Sequence, residues 1–321
     1  MSKLTLGKKL EVIDNNAFEG CSSLKQIEIP DSVESIGEGA FTYCTSLEHV
    51  TIGNKLAYVA KSAFSSCDLT EITWGDGIAK IGDSACACNQ KLTTVSIPDT
   101  VTELEYKAFA GCVELSDIEI PDSVEAIGGY AFEKWDIYNE GGDTAWYDAQ
   151  ADGDVYAGKV YYKYKGTIAE GGTVNLKAGT KGIAGYAFLD QINLTGIEIP
   201  DSVTTIGDNS FKDCTELETV TIGKGCTSVT ASAFTRNVNL VKFDVSEDNE
   251  SYTSVDGVLY NKEKTAVVCY PKSLSGEYVI PDTVTSIEKA AFENGRTITA
   301  EAVYRLEQSF SSDQLISIDQ A

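Results

Sequence analysis

The amino-acid sequence predicts a repeat solenoid, a coil whose turns carry short parallel strands, and three observations predict it. A Phe preceded by Ala or Ser returns every 22 or 23 residues, with one Cys in the Phe position. The spacing resumes after two longer gaps, so about ten turns are visible, anchored at Phe18, Phe41, Phe64, Cys86, Phe109, Phe132, Phe188, Phe211, Phe234 and Phe292. Apolar, Gly and Cys positions also recur at fixed offsets, as in "IPDSVESIGEGAF" and "IPDSVTTIGDNSF". Each turn is apolar on one side only, so the turns must stack to bury that side.

Within one turn, the pattern "LKQIEIP" places Ile27 and Ile29 on the same face of a short strand. Pro30 cannot donate a backbone hydrogen bond, so it ends this strand. A second short strand is expected at residues 33–36. Gly37 then turns the chain into a tight corner, which we expect to be helical, and the corner carries the anchor Phe. Stacked strands of this kind lie about 5 Å apart.

The domain prediction is a single solenoid over residues 1–292, interrupted by insertions at about 133–180 and 246–278. The second insertion, "SVDGVLYNKEKTAVVCYP", has apolar runs on both sides of residues 262–265, which predicts a β-hairpin. The first insertion shares its Asp-Gly opening, so both are interpreted as β-hairpin-like insertions that widen the sheet. Residues 293–321 leave the repeat and are expected to form a C-terminal cap or tail.

The segments "AFEGCSSLKQIEIPDSVESIGEGAF" and "SFKDCTELETVTIGKGCTSVTASAF" resemble the 23-residue, BspA-like class of bacterial leucine-rich repeats. The resemblance extends from about residue 4 to residue 292. It implies a right-handed leucine-rich-repeat coil that is not an enzyme. It also implies a cell-surface or secreted adhesion module that binds a protein or glycan.

The alternative function is an intracellular protein-interaction scaffold or regulatory subunit. The first residues, "MSKLTLGKKLEVID", lack the apolar core of an export signal, and we interpret the chain as a mature fragment without that signal. A cytoplasmic protein is the other interpretation of the same residues. We expect a monomer.

The charge balance argues against two classes of partner. The chain has 25 Lys and Arg against 49 Asp and Glu, a formal net charge of −24. Such a field repels phosphate backbones and anionic lipid headgroups, so no nucleic acid is expected as a partner. The sequence also has no run of 18 apolar residues, so membrane insertion is not expected.

Nine cysteines raise the question of disulfides or a metal, and their spacing favours neither. Several lie three residues after an anchor Phe, and Asn fills the same position in other turns. These positions are Cys21, Cys44, Cys67, Asn89, Cys112, Cys214 and Asn237. Cys and Asn share small size and the capacity to hydrogen-bond backbone groups. The pattern therefore predicts a buried ladder of reduced, shielded thiols.

No catalytic constellation is predicted. The only histidine, His49, lies on the outward side of a strand, and no nucleophile, zinc or phosphate-loop motif occurs. The segment "DAQADGDVYAGK" approaches a calcium loop, but Lys159 stands where a bidentate Glu should close it. We therefore expect no cofactor and no metal.

Two surfaces are candidates for partner contact. The outward strand positions form polar columns with many acidic residues. These columns either bind a basic or polyhydroxylated partner or are simply the solvated face of the sheet. The first insertion concentrates aromatic residues, which serve either as contacts for a ligand or as packing groups. The candidate ligand-binding residues are Trp135, Trp146, Tyr147, Tyr161, Tyr162 and Tyr164.

Overall fold

The computed structural model describes residues 4–134, 143–274 and 278–293. It is a β-solenoid with about 12 turns of parallel strands and almost no helix, which confirms the predicted fold class. The chain divides into two compact units. The first unit comprises Met1–Ala151 with Tyr156–Val160, and the second comprises Asp152–Val155 with Tyr161–Ala321. The single domain over residues 1–292 stays a prediction, and the predicted cap at 293–321 lies, beyond Glu293, outside the described residues.

The first unit contains two ladders of parallel strands, and strand pairing divides each ladder into two sheets: the long-strand ladder after Glu71–Thr73 and the short-strand ladder after Ser35–Ile36. The long-strand ladder has three-residue strands at Gln26–Glu28, His49–Thr51, Glu71–Thr73, Thr94–Ser96 and Asp117–Glu119. The short-strand ladder has two-residue strands at Val12–Ile13, Ser35–Ile36, Tyr58–Val59, Lys80–Ile81, Glu103–Leu104 and Ala126–Ile127. Paired residues are one repeat apart, as in Ile27 with Val50 and Lys80 with Glu103. A single helical turn, Ala145–Asp148, follows the last repeat of this unit.

The second unit repeats the same arrangement. Its long strands are Gly196–Ile199, Thr219–Ile222 and Lys242–Val245. Its short strands are Gly182–Ile183, Thr205–Ile206 and Ser286–Ile287. Neighbouring long strands again pair in parallel, for example Val220 with Phe243.

The second insertion supplies antiparallel strands, as predicted. In the second insertion, Val258–Asn261 pairs antiparallel with both Tyr252–Val255 and Ala266–Cys269, and the turn lies at residues 262–265. Ala266–Cys269 then pairs in parallel with a short strand of the repeat. In the first insertion, strands Gly153–Ala157 and Val160–Lys165 begin a four-stranded sheet that continues into the short strands of the repeat.

The anchor rings stack from turn to turn inside each unit. The ring centroid of Phe41 lies 5.0 Å from that of Phe18 and 5.3 Å from that of Phe64, and the ring planes are nearly parallel. In the second unit, Phe211 lies 5.0 Å from Phe188 and 5.5 Å from Phe234. Stacked rings exclude water and add about 0.5–1.5 kcal/mol per pair to the burial of their area. The core is therefore a column of aromatic rings along the turns of each unit.

Cys86 occupies the Phe position of its turn. The backbone N–H of Phe41 donates to the carbonyl of Ala63, the residue before the next anchor, at 2.8 Å. The Cys86 N–H makes the equivalent bond to Ala108 at 2.9 Å, and its side chain is fully buried. This confirms that the turn shortened by one residue keeps the repeat in register.

The predicted helical corners are wrong, because the structure forms turns there. Two residues before the anchor, the backbone adopts a positive φ at Asn16, Gly39, Ser62, Ser84, Lys107, Tyr130, Tyr186, Asn209 and Ala290. A left-handed residue cannot continue a right-handed helix. The corner at Ala231–Phe234 is the exception: Ser232 has no positive φ there, and a short 3₁₀ helix forms.

Among the described residues, no helix combines the length and apolar character needed to cross a membrane.

Candidate functional site

The outward side chains of the long strands in the first unit form a continuous polar surface, which we call the acidic face. Strand register aligns Gln26 with His49 and Glu71 in one column, and Glu28 with Thr51 in the next. These columns confirm the predicted alignment. The outward positions are Gln26, Glu28, His49, Thr51, Glu71, Thr73, Thr94, Ser96, Asp117 and Glu119, and all are exposed.

Four of these ten side chains are carboxylates and none is Lys or Arg. His49 Nδ1 lies 3.6 Å from a Glu71 oxygen, and Ser96 donates to Glu119 at 2.8 Å. The corresponding face of the second unit carries less negative charge, because Lys242 stands against the two acids Glu198 and Asp244 and forms an ion pair with Asp244 at 2.6 Å. The stronger negative field therefore belongs to the first unit.

The aromatic residues of the first insertion are placed mainly in the interior. Tyr161 and Tyr162 are 0% and 1% exposed, and Tyr147 is buried. Trp146 and Tyr164 are half-buried. Trp135 lies outside the described residues. The ligand-binding role of this set stays a prediction, and the exposed ring surface that could serve it belongs to Trp146 and Tyr164.

Two of these rings extend the aromatic columns of their units. In the first unit, Trp146 packs edge-on against Phe132 with a centroid distance of 5.1 Å. In the second unit, Tyr161 stacks on Phe188 at 4.7 Å with an interplanar angle of 13°, and its hydroxyl donates to Asp154 at 2.9 Å. The insertion thus supplies rings where the repeat would otherwise supply an anchor Phe.

The Cys and Asn positions form the predicted hydrogen-bonding ladder. Each side chain reaches the carbonyl of the anchor residue in the preceding turn. The thiol of Cys67 donates to Phe41 at 3.1 Å, and the amide of Asn89 donates to Phe64 at 2.9 Å. Cys44, Cys112 and Cys214 make the same bond at 3.2, 3.2 and 3.0 Å. Within the described residues, Asn237 departs from this pattern, since its buried amide has no partner.

Cys21 contradicts the prediction that every thiol of this ladder is shielded, because its side chain is exposed. A ladder thiol is covered by the turn before it, which also supplies the accepting carbonyl. The described residues before Cys21 contain no anchor position of that kind. The remaining four Cys residues of the ladder are buried.

We expect thiol labelling to separate these cysteines. Burial raises the pKa of the Cys112 and Cys214 thiols to about 12, so the reactive thiolate is negligible at neutral pH. Cys21 should react with a water-soluble disulfide reagent at the rate of a free peptide thiol. Cys44, Cys67, Cys112 and Cys214 should react at a comparable rate only after denaturation. Mass spectrometry assigns the labelled positions, and fast native labelling of Cys112 would contradict the ladder.

No metal centre can be built from the residues that the structure describes, because no three His, Cys, Asp or Glu side chains are grouped closely enough. Asp148, the first residue of the segment that approaches a calcium loop, is the last residue of the helical turn Ala145–Asp148. Lys159 forms an ion pair with Asp122 at 2.6 Å.

A second group of exposed aromatic residues was not predicted. Tyr58 and Tyr106 lie on the short-strand side of the first unit and are 40% and 38% exposed. Their sequence signal is a residue that differs from the one found at the same position of the other turns. Glu105 stands four residues before an anchor, where most turns of this unit have Gly or Ala, and Tyr106 follows it.

The sequence matches one family model. Residues 3–138 and 181–276 match the BspA type leucine rich repeat region in six copies. No curated protein matches the chain.

Solved structures with the same repeat are similar at low identity. A leucine-rich repeat protein from Eubacterium ventriosum is 24% identical, with a TM-score of 0.33, over 71% of this chain and 45% of that chain. The pneumococcal vaccine antigen PcpA is 19% identical, with a TM-score of 0.32, over 90% of this chain and 56% of that chain. A leucine rich cell surface protein from Faecalibacterium prausnitzii is 23% identical, with a TM-score of 0.32, over 77% of this chain and 86% of that chain. The chain therefore spans about half the length of the first two proteins.

Proposed function

Because the chain belongs to the BspA-type leucine-rich repeat family, we propose that it is a non-catalytic binding module, displayed on a cell surface or secreted, that uses its acidic face to hold a basic protein partner. A protein-binding repeat module is the role typical of this family. The observation that supports the acidic face is its composition: four exposed carboxylates and no Lys or Arg among ten outward positions.

The geometry of this face suits an extended contact. Parallel pairing holds the side chains at the strand spacing of about 4.8 Å within each of the two sheets that form this face, so Glu28 and Glu71 keep fixed relative positions in one sheet, and Asp117 and Glu119 in the other. A rigid surface loses little conformational entropy when a partner binds. Exposed ion pairs are individually weak, about 0.2–1 kcal/mol each, so binding needs several of them together.

Electrostatic attraction of this kind acts mainly on specificity and on the association rate. It is also screened by salt, since the Debye length falls from about 10 Å at 0.1 M to about 3 Å at 1 M. A partner held by the acidic face should therefore dissociate as the ionic strength rises.

We expect charge removal on the acidic face to weaken binding of a basic probe about tenfold, from four pairs of about 0.3–0.4 kcal/mol each. The probe is a Lys-Gly repeat decapeptide, and an acidic Glu-Gly decapeptide is the negative control. The variant carries Glu28→Gln, Glu71→Gln, Asp117→Asn and Glu119→Gln. Titration calorimetry at low and high salt measures the affinity, and the difference from the unmodified protein should vanish at high salt.

The matched control removes the same number of charges elsewhere in the first unit, through Glu11→Gln, Glu19→Gln, Asp76→Asn and Asp99→Asn. All four of these side chains are exposed. An equal loss in both variants would show that net charge, and not the acidic face, attracts the probe. Tight binding of the acidic decapeptide would overturn the proposal.

The first insertion supplies a second candidate contact, because Trp146 in the first unit and Tyr164 in the second unit each keep part of the ring exposed. Trp and Tyr are enriched among the hot spots of binding interfaces. The single variants Trp146→Ala and Tyr164→Ala are tested in the same titration. A loss of binding in one of them, with no loss in the acidic-face variant, would place the contact at that ring.

A further inference from the structure

Three tyrosines lie on the short-strand side of the first unit, and we call them the tyrosine strip: Tyr58, Tyr106 and Tyr130. The first two are 40% and 38% exposed, and Tyr130 is half-buried. The strip lies on strands other than those of the acidic face, so it is independent of the function proposed above. Exposed aromatic side chains grouped together are unusual on a surface that needs only solubility.

The ring of Tyr58 lies across the neighbouring turn. Its hydroxyl donates to Glu105 at 3.1 Å, two turns further along the chain. The ring passes over Gly82 on the way, because a Cβ at Gly82 would come within 2.7 Å of the Tyr58 hydroxyl oxygen and 3.0 Å of the ring carbon that bears it. The Tyr58 ring thus lies along the surface of the turn that carries Gly82.

Glu105 holds the Tyr58 ring in this orientation. The carboxylate oxygen that accepts from Tyr58 also accepts the backbone N–H of Asp83 at 3.0 Å. Partial burial, together with the nearby Glu105 carboxylate, raises the pKa of Tyr58 to about 12. The hydroxyl therefore stays protonated and keeps donating at any physiological pH. A ring held in advance loses little rotational freedom when a ligand stacks on it.

Tyr106 is held by two neighbours. Its ring meets Tyr130 edge-on with a centroid distance of 6.0 Å and an interplanar angle of 86°. The ammonium group of Lys107 lies 5.2 Å from the Tyr106 ring centroid. Tyr58 and Tyr106 therefore provide two oriented rings, carried by turns that lie roughly 10 Å apart.

The charges around the strip cancel. Three carboxylates act on the Tyr58 hydroxyl, and three lysines pair with these acids or lie over Tyr106: the acids are Asp83, Glu103 and Glu105, and the lysines are Lys61, Lys80 and Lys107. Lys80 pairs with Glu103 at 2.5 Å, and Lys61 pairs with Asp83 at 3.6 Å. A cationic peptide would find no excess of carboxylates here, and an anionic polymer would find no excess of lysines. The complementary ligand is uncharged, with an apolar face for the rings and polar groups for the surrounding donors and acceptors.

We propose that the tyrosine strip binds a neutral glycan chain. The C–H faces of successive sugar rings stack on Tyr58 and Tyr106. The sugar hydroxyls hydrogen-bond with the carboxylates and ammonium groups that border the strip. This assigns glycan binding to a surface separate from the acidic face, so the module carries two contact surfaces of different chemistry.

Calorimetric titration with defined oligosaccharides tests the strip. The neutral probes are cellohexaose, mannohexaose and chitohexaose, the anionic probe is hexagalacturonic acid, and the cationic probe is the Lys-Gly decapeptide. We expect at least one neutral hexasaccharide to bind with a Kd below about 1 mM. Tyr58→Ala and Tyr106→Ala should each weaken this binding about tenfold or more.

Two controls isolate the rings. Tyr43 is 58% exposed and lies outside the strip, so Tyr43→Ala should leave the affinity within about twofold. Tyr58→Phe keeps the ring and removes the bond to Glu105, so it should weaken binding less than Tyr58→Ala does. If an alanine variant fails to fold, the leucine variant of the same position replaces it, because leucine keeps apolar bulk without a planar ring.

Three outcomes would overturn the proposal. The first is no binding of any neutral hexasaccharide at about 10 mM, the weak limit of specific recognition. The second is stronger binding of the anionic probe, or of the cationic probe through residues of the strip. The third is an equal loss in Tyr43→Ala. Because the acidic-face variant keeps all three tyrosines, its glycan binding should be unchanged, and failure of one surface leaves the test of the other intact.

Discussion

Replacing Phe41 by alanine will lower the free energy of unfolding by about 3–5 kcal/mol, the cost of removing a fully buried phenylalanine ring. Phe41 is 0% exposed and stacks on a ring in the turn before and in the turn after. Its removal leaves a cavity in the middle of the aromatic column. Neighbouring turns cannot close this cavity, because strand pairing fixes their separation.

Phe18→Ala is the matched control. Phe18 occupies the same position in its turn, but it is half-buried and stacks on Phe41 only. We expect it to cost less than half as much as the Phe41 change. Urea denaturation followed by circular dichroism measures both values. Equal losses would mean that stacking on both sides adds nothing to the stability of the column.

Tyr161→Ala should have the second largest effect, a loss of about 3 kcal/mol or more of unfolding free energy. The side chain is 0% exposed and its ring stacks on Phe188 at 4.7 Å. Removing it uncovers the aromatic column of the second unit and leaves Asp154 without its hydroxyl donor. The same denaturation experiment measures the loss.

Two further variants separate the contributions. Tyr161→Phe keeps the ring and removes only the bond to Asp154, so about 1 kcal/mol is expected. Tyr164→Ala removes a half-buried ring of the same strand and should cost less than Tyr161→Ala. If Tyr161→Ala left the free energy of unfolding unchanged but abolished binding to a surface ligand, the Tyr161 ring would instead be a contact group.

Much of the fold follows from spacing in the sequence. The return of Phe every 22 or 23 residues predicts the turn length, the strand columns and the position of the buried thiols. These predictions succeed because a repeat places equivalent residues in equivalent environments, so one turn explains the others. The hairpin at residues 262–265 was also predictable, since a short apolar run on each side of a polar turn marks its two strands.

Some predictions failed for local physical reasons. The corners were expected to be helical, but a residue with positive φ two positions before nine of the ten anchors stops the helix, and residues as different as Ser62, Lys107 and Tyr130 adopt that backbone conformation. Residue type gives no signal there, because stacking imposes the same backbone path on every turn. Cys21 was expected to be shielded like its equivalents, but shielding depends on the preceding turn and not on the position within the repeat.

Sequence alone thus determined the repeat length, which residues face inward, and which columns of side chains face out, because these depend on periodicity along the chain. Only the tertiary structure decided which exceptional residues meet. Tyr58 reaches Glu105 because the stacking of turns across one intervening turn brings residues 47 positions apart into hydrogen-bonding distance. Tyr161 becomes a core ring because strand Val160–Lys165 lies next to the repeat and places this side chain over Phe188. Such contacts depend on side chains that break the repeat, so periodicity cannot predict them, whereas packing in three dimensions does.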